Sequence, residues 1–164
     1  MNDNGAGLND EMVGSEPGVP GREPALTGCP WHDVNEMLQA AGLRPTRQRM
    51  ALGWLLFGKG ARHLTAEMLY EEATLAKVPV SLATVYNTLR RFTECGLLRE
   101  VLVAPGKVYF DTNAADHHHF FFEGTGMLED IPADHVTLSK LPPTPAGSDI
   151  SRVDVIIRLS AAKN

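Results

Sequence analysis

Residues 81–111 constrain the fold most, because they combine a capped amphipathic helix with a β-hairpin. The apolar residues of the helix recur at steps of three and four, which predicts one buried face. They are Leu82, Val85, Leu89 and Phe92. Two strand-like runs follow, at residues 98–103 and 107–111, and the turn between them is predicted at Ala104-Pro105-Gly106.

Three further helices are predicted upstream, because a capping residue there precedes apolar residues at helical spacing. Their predicted starts are Asp33 (in a capping box with Glu36), Pro45 or Thr46, and Thr65. Gly42 and Gly58 are predicted stops, since glycine readily ends a helix. The predicted buried residues of the second helix are Met50, Trp54, Leu55 and Phe57, and the third helix carries Met68, Leu69, Ala73 and Ala76.

This series of helices and a hairpin is typical of a winged helix-turn-helix. We therefore predict an α+β protein with a winged-helix DNA-binding domain at residues 29–111. Residues 1–28 are rich in glycine and proline and are predicted to form a flexible tail. Residues 112–164 are predicted to form a small α/β dimerisation domain, with short strands at 120–122 and 127–131 and a longer one at 150–159. About fifty residues make a poor core alone, which favours a homodimer.

The side of the fourth helix opposite its apolar stripe carries short polar groups, an aromatic ring and two guanidinium groups. Such side chains can read base edges in the major groove, and basic residues nearby can contact phosphates. The candidate DNA contacts are Arg47, Arg49, Thr84, Tyr86, Asn87, Thr88, Arg90, Arg91 and Lys107. The alternative is an ordinary amphipathic helix with a solvated polar face.

The net charge of −5 is unevenly distributed along the 164 residues. Residues 31–111 carry ten Lys and Arg against eight Asp and Glu, whereas the segments on either side are negative. Charge alone therefore does not identify a nucleic-acid binder. The sequence has neither a membrane-spanning apolar run nor a secretory signal, and its two cysteines cannot form a disulfide framework, so a cytoplasmic location is expected.

The triplet of residues 117–119 is the strongest chemical signal. If it lies in a strand, His117 and His119 point to one side and His118 to the other. Imidazole suits zinc, iron, nickel, copper or haem. Further candidate ligands are His63, Asp111, Asp116, Glu123 and Asp130. The alternative is a polar segment at a domain junction.

Cys29 precedes a proline at the start of the predicted ordered region. A thiolate is a suitable axial ligand for haem iron, although a lone Cys-Pro by itself favours a free exposed thiol. Cys95, near the end of the fourth helix, is predicted to be buried. The sequence contains no hydrolase, phosphate-loop or dinucleotide-binding motif, which argues against an enzyme.

Four blocks resemble the ferric uptake regulator family across about residues 31–160. They are Leu-Arg-Pro-Thr-Arg-Gln-Arg at 43–49, His-Leu-Thr-Ala-Glu-Met-Leu-Tyr at 63–70, Ser-Leu-Ala-Thr-Val-Tyr-Asn-Thr-Leu at 81–89, and the histidine triplet. The chain departs from the common pattern at Phe122, where a cysteine is usual, and at Asn87, where arginine is usual. With no Cys-x-x-Cys, a four-cysteine zinc site is excluded. These departures and Gly-Cys-Pro-Trp-His at 28–32 resemble the iron response regulator branch.

The resemblance implies a dimeric transcription regulator of iron uptake and haem biosynthesis genes, with an A/T-rich inverted repeat as its expected DNA site. It implies haem binding that weakens DNA binding or promotes degradation, and a haem-delivering partner protein. The implied haem residues are Cys29, His117, His118 and His119. The implied divalent-metal residues are His63, Asp111, His117 and His119, which suit Fe, Mn or Zn.

Two alternatives stay open. One is a repressor of the same fold that iron or manganese activates. The other is a haem- or metal-handling protein without an operator.

Overall fold

The computed structural model describes residues 30–104 and 106–161, so Cys29, Pro105 and the predicted tail lie outside the described part of the chain. The architecture is α+β, as predicted. The helices are α1 (Pro30–Ala40), α2 (Arg47–Phe57), α3 (Ala66–Leu75) and α4 (Leu82–Glu94). The strands are β1 (His63–Leu64), β2 (Arg99–Ala104), β3 (Lys107–Asp111), β4 (His117–Phe122), β5 (Met127–Pro132) and β6 (Ile156–Leu159), with a 3-10 turn at Ala133–His135.

Side-chain caps begin three of the four helices. The hydroxyl oxygens of Thr46, Thr65 and Ser81 accept hydrogen bonds from backbone N–H groups in the first turns of α2, α3 and α4. The predicted capping box at Asp33 is wrong, because α1 already begins at Pro30 and Asp33 lies inside its first turn. Proline is well suited to a first turn, since it has no N–H to leave unpaired.

The helices enclose the main hydrophobic core. Val85, Leu89 and Phe92 of α4 are fully buried, as the spacing predicts. Trp54 was assigned wrongly to the buried side of α2, since it is 40% exposed while Leu52 and Leu56 are fully buried. Residues two positions apart along a helix point to nearly opposite sides, so Trp54 is exposed because Leu52 and Leu56 face the core.

Of the apolar residues predicted in the third helix, Leu69 and Ala73 are fully buried, whereas Met68 is 42% exposed and Ala76 is exposed. One further prediction of burial in the helical region is wrong. Cys95 is exposed rather than buried, because it follows the last residue of α4, where the chain leaves the core.

Two three-stranded sheets follow the helices. The first has the order β1-β3-β2 and is antiparallel, and the second has the order β5-β4-β6, with β6 parallel to β4. A second hydrophobic cluster joins them. It consists of Val101, Val103, Tyr109 and Phe121, with Leu128 and Ile156 packed against it. The hairpin β2–β3 is therefore packed against the second sheet.

The last strand is shorter than the predicted 150–159. Its register pairs His119 with Ile156, so residues before Asp154 extend past the beginning of β4 and have no partner there. Of the four residues predicted to share one side, Val153 and Val155 precede β6, and Ile157 is partly exposed. Among the described residues after 111, the only helical element is the 3-10 turn at Ala133–His135. This part therefore has less helix than the predicted α/β unit.

The described residues include no helix of the length and apolarity that crossing a membrane requires.

Candidate metal centre and nucleic-acid interface

Strand pairing brings four potential ligands together in two pairs. His63 of β1 lies opposite Asp111 of β3 in the first sheet, and His119 of β4 lies opposite Asp130 of β5 in the second. His117 shares the side of β4 with His119, since side chains two residues apart on a strand point the same way. These five residues therefore meet where the two sheets face each other, as predicted for His117 and His119.

Asp111 is at the middle of this group. Its Oδ2 atom is 2.8 Å from Nε2 of His117, 3.3 Å from Nε2 of His119 and 3.4 Å from Nε2 of His63. The Oδ1 atom of Asp130 is 2.9 Å from Nε2 of His63. One donor atom from each of the five residues lies within 4.8 Å of all the others.

Burial and opposite charge both act on the ionisable groups. Burial lowers the pKa of His63, but the adjacent carboxylates of Asp111 and Asp130 outweigh it and raise the pKa to about 9. The pKa of His117 is raised in the same way, against the effect of burial. Burial raises the pKa of Asp111, but hydrogen bonds from His117 and His119 and the positive charge of His63 hold it far below its usual range. Both aspartates are thus ionised near neutral pH, since the pKa of Asp130 is lowered as well.

Two donor atoms of the group fit a bound cation better than a hydrogen-bond network. Nε2 of His63 and Oδ1 of Asp130 are buried without a hydrogen-bond partner among the described residues, because the angles of their 2.9 Å contact do not suit one. First-row metal ions bind such atoms at about 2.0–2.2 Å, which places neighbouring donors roughly 3–4 Å apart. Imidazole and carboxylate donors in this combination suit Mn, Fe or Zn.

Neighbouring groups orient the ligands. The backbone carbonyl oxygen of Ala115 lies 2.8 Å from Nδ1 of His117, which favours a proton on Nδ1 and leaves Nε2 for a metal. The side-chain amide of Asn113 donates to Oδ2 of Asp130 at 3.0 Å, and its backbone N–H donates to Oδ1 of Asp111 at 2.8 Å. Asn113 is not among the predicted site residues. The sequence feature that points to it is its position two residues after Asp111, where a backbone N–H readily reaches back to a carboxylate.

The remaining candidate ligands lie apart from the centre. Asp116 is exposed beside Arg99, and Glu123 is exposed just beyond β4. His118 lies on the opposite face of β4, as predicted, and is partly buried. His119 is only 1% exposed, and its Nε2 atom faces the other ligands. This arrangement leaves a porphyrin no open face at His119, so this residue suits a metal ion rather than haem.

A second polar surface lies between α2 and α4. It is a groove of about 570 Å³. Its lining residues are Thr46, Gln48, Arg49, Thr84, Asn87, Thr88, Arg90, Arg91 and Glu94. Asn87 and the two arginines of α4 are exposed, as predicted. Thr88 is only 6% exposed, so its assignment to the exposed face is wrong; it lies one residue before the buried Leu89 and at the edge of the apolar stripe.

The candidate DNA contacts outside α4 have different surroundings. Arg47 is exposed at the start of α2, and Arg49 donates to the backbone carbonyl of Arg44 at 3.0 Å. The ammonium group of Lys107 lies 5.3 Å from the centre of the Tyr109 ring. The ammonium group of Lys107 therefore lies beside the second hydrophobic cluster.

Comparison with known proteins gives a consistent result. The model of the ferric uptake regulator family matches residues 40–142. The peroxide-responsive repressor PerR of Staphylococcus epidermidis is 32% identical over 103 residues, which cover 61% of this chain and 68% of that relative.

Solved structures share the fold. The ferric uptake regulator from Pseudomonas aeruginosa with manganese has a TM-score of 0.60 at 24% identity, over 79% of this chain and 98% of that one. The ferric uptake regulator from Francisella tularensis with iron has a TM-score of 0.60 at 16% identity, over 73% and 92%.

Proposed function

The chain belongs to the ferric uptake regulator family of metal-responsive transcription regulators, and from this premise we propose that a divalent cation at the His63 centre sets its affinity for DNA. By the His63 centre we mean His63, Asp111, His117, His119 and Asp130. The convergence of their five donor atoms carries the proposal. The solved relatives with manganese and with iron support the choice of ion.

The location of the centre explains how an ion there can affect DNA binding. His63 and Asp111 flank Leu64 and Phe110, which are buried in the helical core that includes α4. The other three ligands lie on β4 and β5 of the second sheet. When bound, a divalent cation supplies positive charge in place of protons and bonds to all of these side chains. The five ligands would then hold the helical core and the second sheet in one relative orientation.

The DNA-binding part of the proposal rests on α4. We propose that residues 29–111 form the DNA-binding domain and 112–164 the dimerisation domain of a homodimer. Two copies of α4 would then enter successive major grooves of an A/T-rich inverted repeat. Tyr86, Asn87 and Thr84 would read base edges, while arginines at the groove between α2 and α4 would contact phosphates.

Haem is the second candidate ligand, and His118 is the residue that favours it. His118 lines a cavity of about 260 Å³, which Arg99 and Arg152 also line. Both guanidinium groups pair with Asp154, a carboxylate that those of haem would have to replace, and imidazole binds haem iron. Haem held by His118, alone or with Cys29, would oppose DNA binding, whereas a cation at the His63 centre would favour it.

Selection of DNA from a random library tests the proposal. The full chain is incubated with the library once with Mn²⁺ and once with a chelator, and bound sequences are determined. Enrichment of an inverted repeat with Mn²⁺ alone supports a cation-dependent regulator. If an inverted repeat is enriched in the presence of the chelator, and added haemin abolishes that enrichment, the result supports the haem alternative. The absence of enrichment in every condition contradicts both and favours a metal-handling protein without an operator.

Peroxide is a third signal to examine, because the relative from Staphylococcus epidermidis is named a peroxide-responsive repressor. The same selected DNA can be used with Fe²⁺-loaded protein before and after exposure to hydrogen peroxide. Loss of binding that fresh Fe²⁺ does not restore would support a peroxide response.

A further inference from the structure

Tyr86 makes one specific contact although its ring lies on the exposed side of α4. Its side chain is 47% exposed, and its hydroxyl group donates to Oε1 of Glu67 at 2.5 Å. Glu67 belongs to α3 and Tyr86 to α4, so the hydrogen bond joins the two helices that precede the hairpin. It lies on the protein surface, where a tyrosine hydroxyl would otherwise bond to water.

Glu67 is a well-anchored acceptor. It lies in the first turn of α3, directly after Ala66 and close to the capping residue Thr65. Hydrogen bonds from Tyr86, from its own backbone N–H and from Thr65 hold the pKa of Glu67 below its usual value. The positive end of the helix dipole favours a carboxylate at this position. The carboxylate is therefore ionised near neutral pH and held near the start of α3.

We infer that Glu67 is a positioning residue, which holds the Tyr86 ring in the orientation needed to read a base. This inference rests on the proposed function, in which Tyr86 contacts DNA. An exposed ring without a partner samples several rotamers and loses that freedom on binding, which weakens a specific contact about two- to tenfold. A hydroxyl fixed by Glu67 leaves the ring preorganised before DNA arrives.

Because Glu67 is negatively charged, its removal distinguishes a role in positioning Tyr86 from a direct contribution to DNA affinity. A carboxylate beside a DNA-binding helix repels phosphates of any sequence, so its removal should leave binding to random DNA equal or stronger. Loss of positioning should instead weaken binding to the selected sequence. Glu67→Ala is thus expected to change the two affinities in different directions, which a loss of folding would not do.

The test compares variants of the full chain on the selected duplex and on a shuffled duplex. Glu67→Ala and Tyr86→Phe should each weaken specific binding about two- to tenfold, and the double variant should be no weaker than either single one. Glu67→Gln should retain specific binding, because its amide oxygen still accepts from the tyrosine. Glu71→Ala, which removes an exposed carboxylate from the same helix, is the matched control and should keep the preference.

Three results overturn the inference. If Glu67→Ala lowers binding to both duplexes equally, or if its effect adds to that of Tyr86→Phe, Glu67 does not position the ring. If the wild-type chain itself shows no preference for the selected duplex, the proposed function fails and the inference fails with it. The base preference of each variant is measured as well. Glu67→Ala and Tyr86→Phe should lose their preference for one base at the same base pair of the site.

Discussion

The ammonium group of Lys107 lies 5.8 Å from the centre of the Phe121 ring, so a lysine of the hairpin contacts the sheet that carries the histidine triplet. The guanidinium group of Arg158 lies 5.5 Å from the same ring. Nearby, the hydroxyl of Tyr109 donates to the carbonyl oxygen of Gly126 at 2.5 Å. These contacts connect the hairpin to the second sheet, which also carries three ligands of the His63 centre.

Lys107→Ala is expected to act on the connection between the hairpin and the second sheet. Lys107 is exposed, and a cation–π contact at an exposed site contributes about 0.5–1 kcal/mol, so the free energy of unfolding should fall by about this amount. Urea unfolding measures the change. The opposing result is unaltered stability, while the slope of log K for DNA binding against log salt concentration falls in magnitude by about one. That result would show that Lys107 contacts a phosphate, as the sequence predicts.

Asn113→Ala should weaken metal binding although Asn113 is not a ligand. The substitution removes the hydrogen bond to Oδ2 of Asp130, and residues that orient ligands typically contribute 10- to 100-fold to metal affinity. Competition with a chelating dye measures the affinity. Glu129→Gln is the control, since Glu129 precedes Asp130 on β5 and is exposed. Equal affinities for Asn113→Ala and the wild type would show that Asn113 does not orient Asp130 for metal binding.

Metal affinity should increase with pH. The pKa of His63 is raised to about 9, so this imidazole carries a proton at neutral pH when no metal is bound, and a metal must displace it. The apparent affinity should therefore rise from pH 6.5 towards pH 9, with release of protons. Calorimetry in two buffers of different ionisation enthalpy measures the release. An affinity that does not vary over this range would show that His63 is not a ligand.

The same shift predicts how the metal-free protein responds to pH. A pKa raised on folding contributes stability that is fully present below the ordinary pKa of about 6.5, and this stability is lost as the pH rises to about 9. With a chelator, the urea midpoint should fall between pH 7 and pH 9, and His63→Gln should show a smaller decrease. The same decrease in both proteins would assign the effect to other groups.

Glu94→Gln should strengthen DNA binding. Glu94 accepts hydrogen bonds from Arg90 at 3.0 Å and from Arg91 at 2.9 Å, on the exposed side of α4. Without this carboxylate, both guanidinium groups are available to phosphates, so affinity for any duplex and its salt dependence should increase. Glu100→Gln, which removes an exposed carboxylate from β2, is the control. Unchanged salt dependence in Glu94→Gln would show that neither arginine contacts the backbone.

The parts of the structure that depend on neighbouring residues were predictable. The caps at Thr46, Thr65 and Ser81 and the buried stripe of α4 follow from local spacing. So does the shared side of His117 and His119, because a strand alternates its side chains. Local rules gave no reason to prefer Leu52 over Trp54 as the buried residue of α2, since both are apolar.

The parts that depend on pairing between distant segments were not predictable. Asp130 was only one of several candidate ligands until the register of β4 and β5 placed it opposite His119. Asn113 and the contact between Lys107 and Phe121 depend on how the hairpin packs against the second sheet. That packing is set by the second hydrophobic cluster, whose four members lie on three different strands.

Fluorescence anisotropy on the selected duplex measures whether a cation at the His63 centre sets the affinity for DNA. Wild type, Asp130→Asn and Glu129→Gln are each titrated with and without Mn²⁺; each variant loses one carboxylate from β5. We expect Mn²⁺ to strengthen DNA binding at least about tenfold, or 1.4 kcal/mol, for the wild type and Glu129→Gln but not for Asp130→Asn. An equal response to Mn²⁺ in all three proteins would show that the His63 centre does not set DNA affinity.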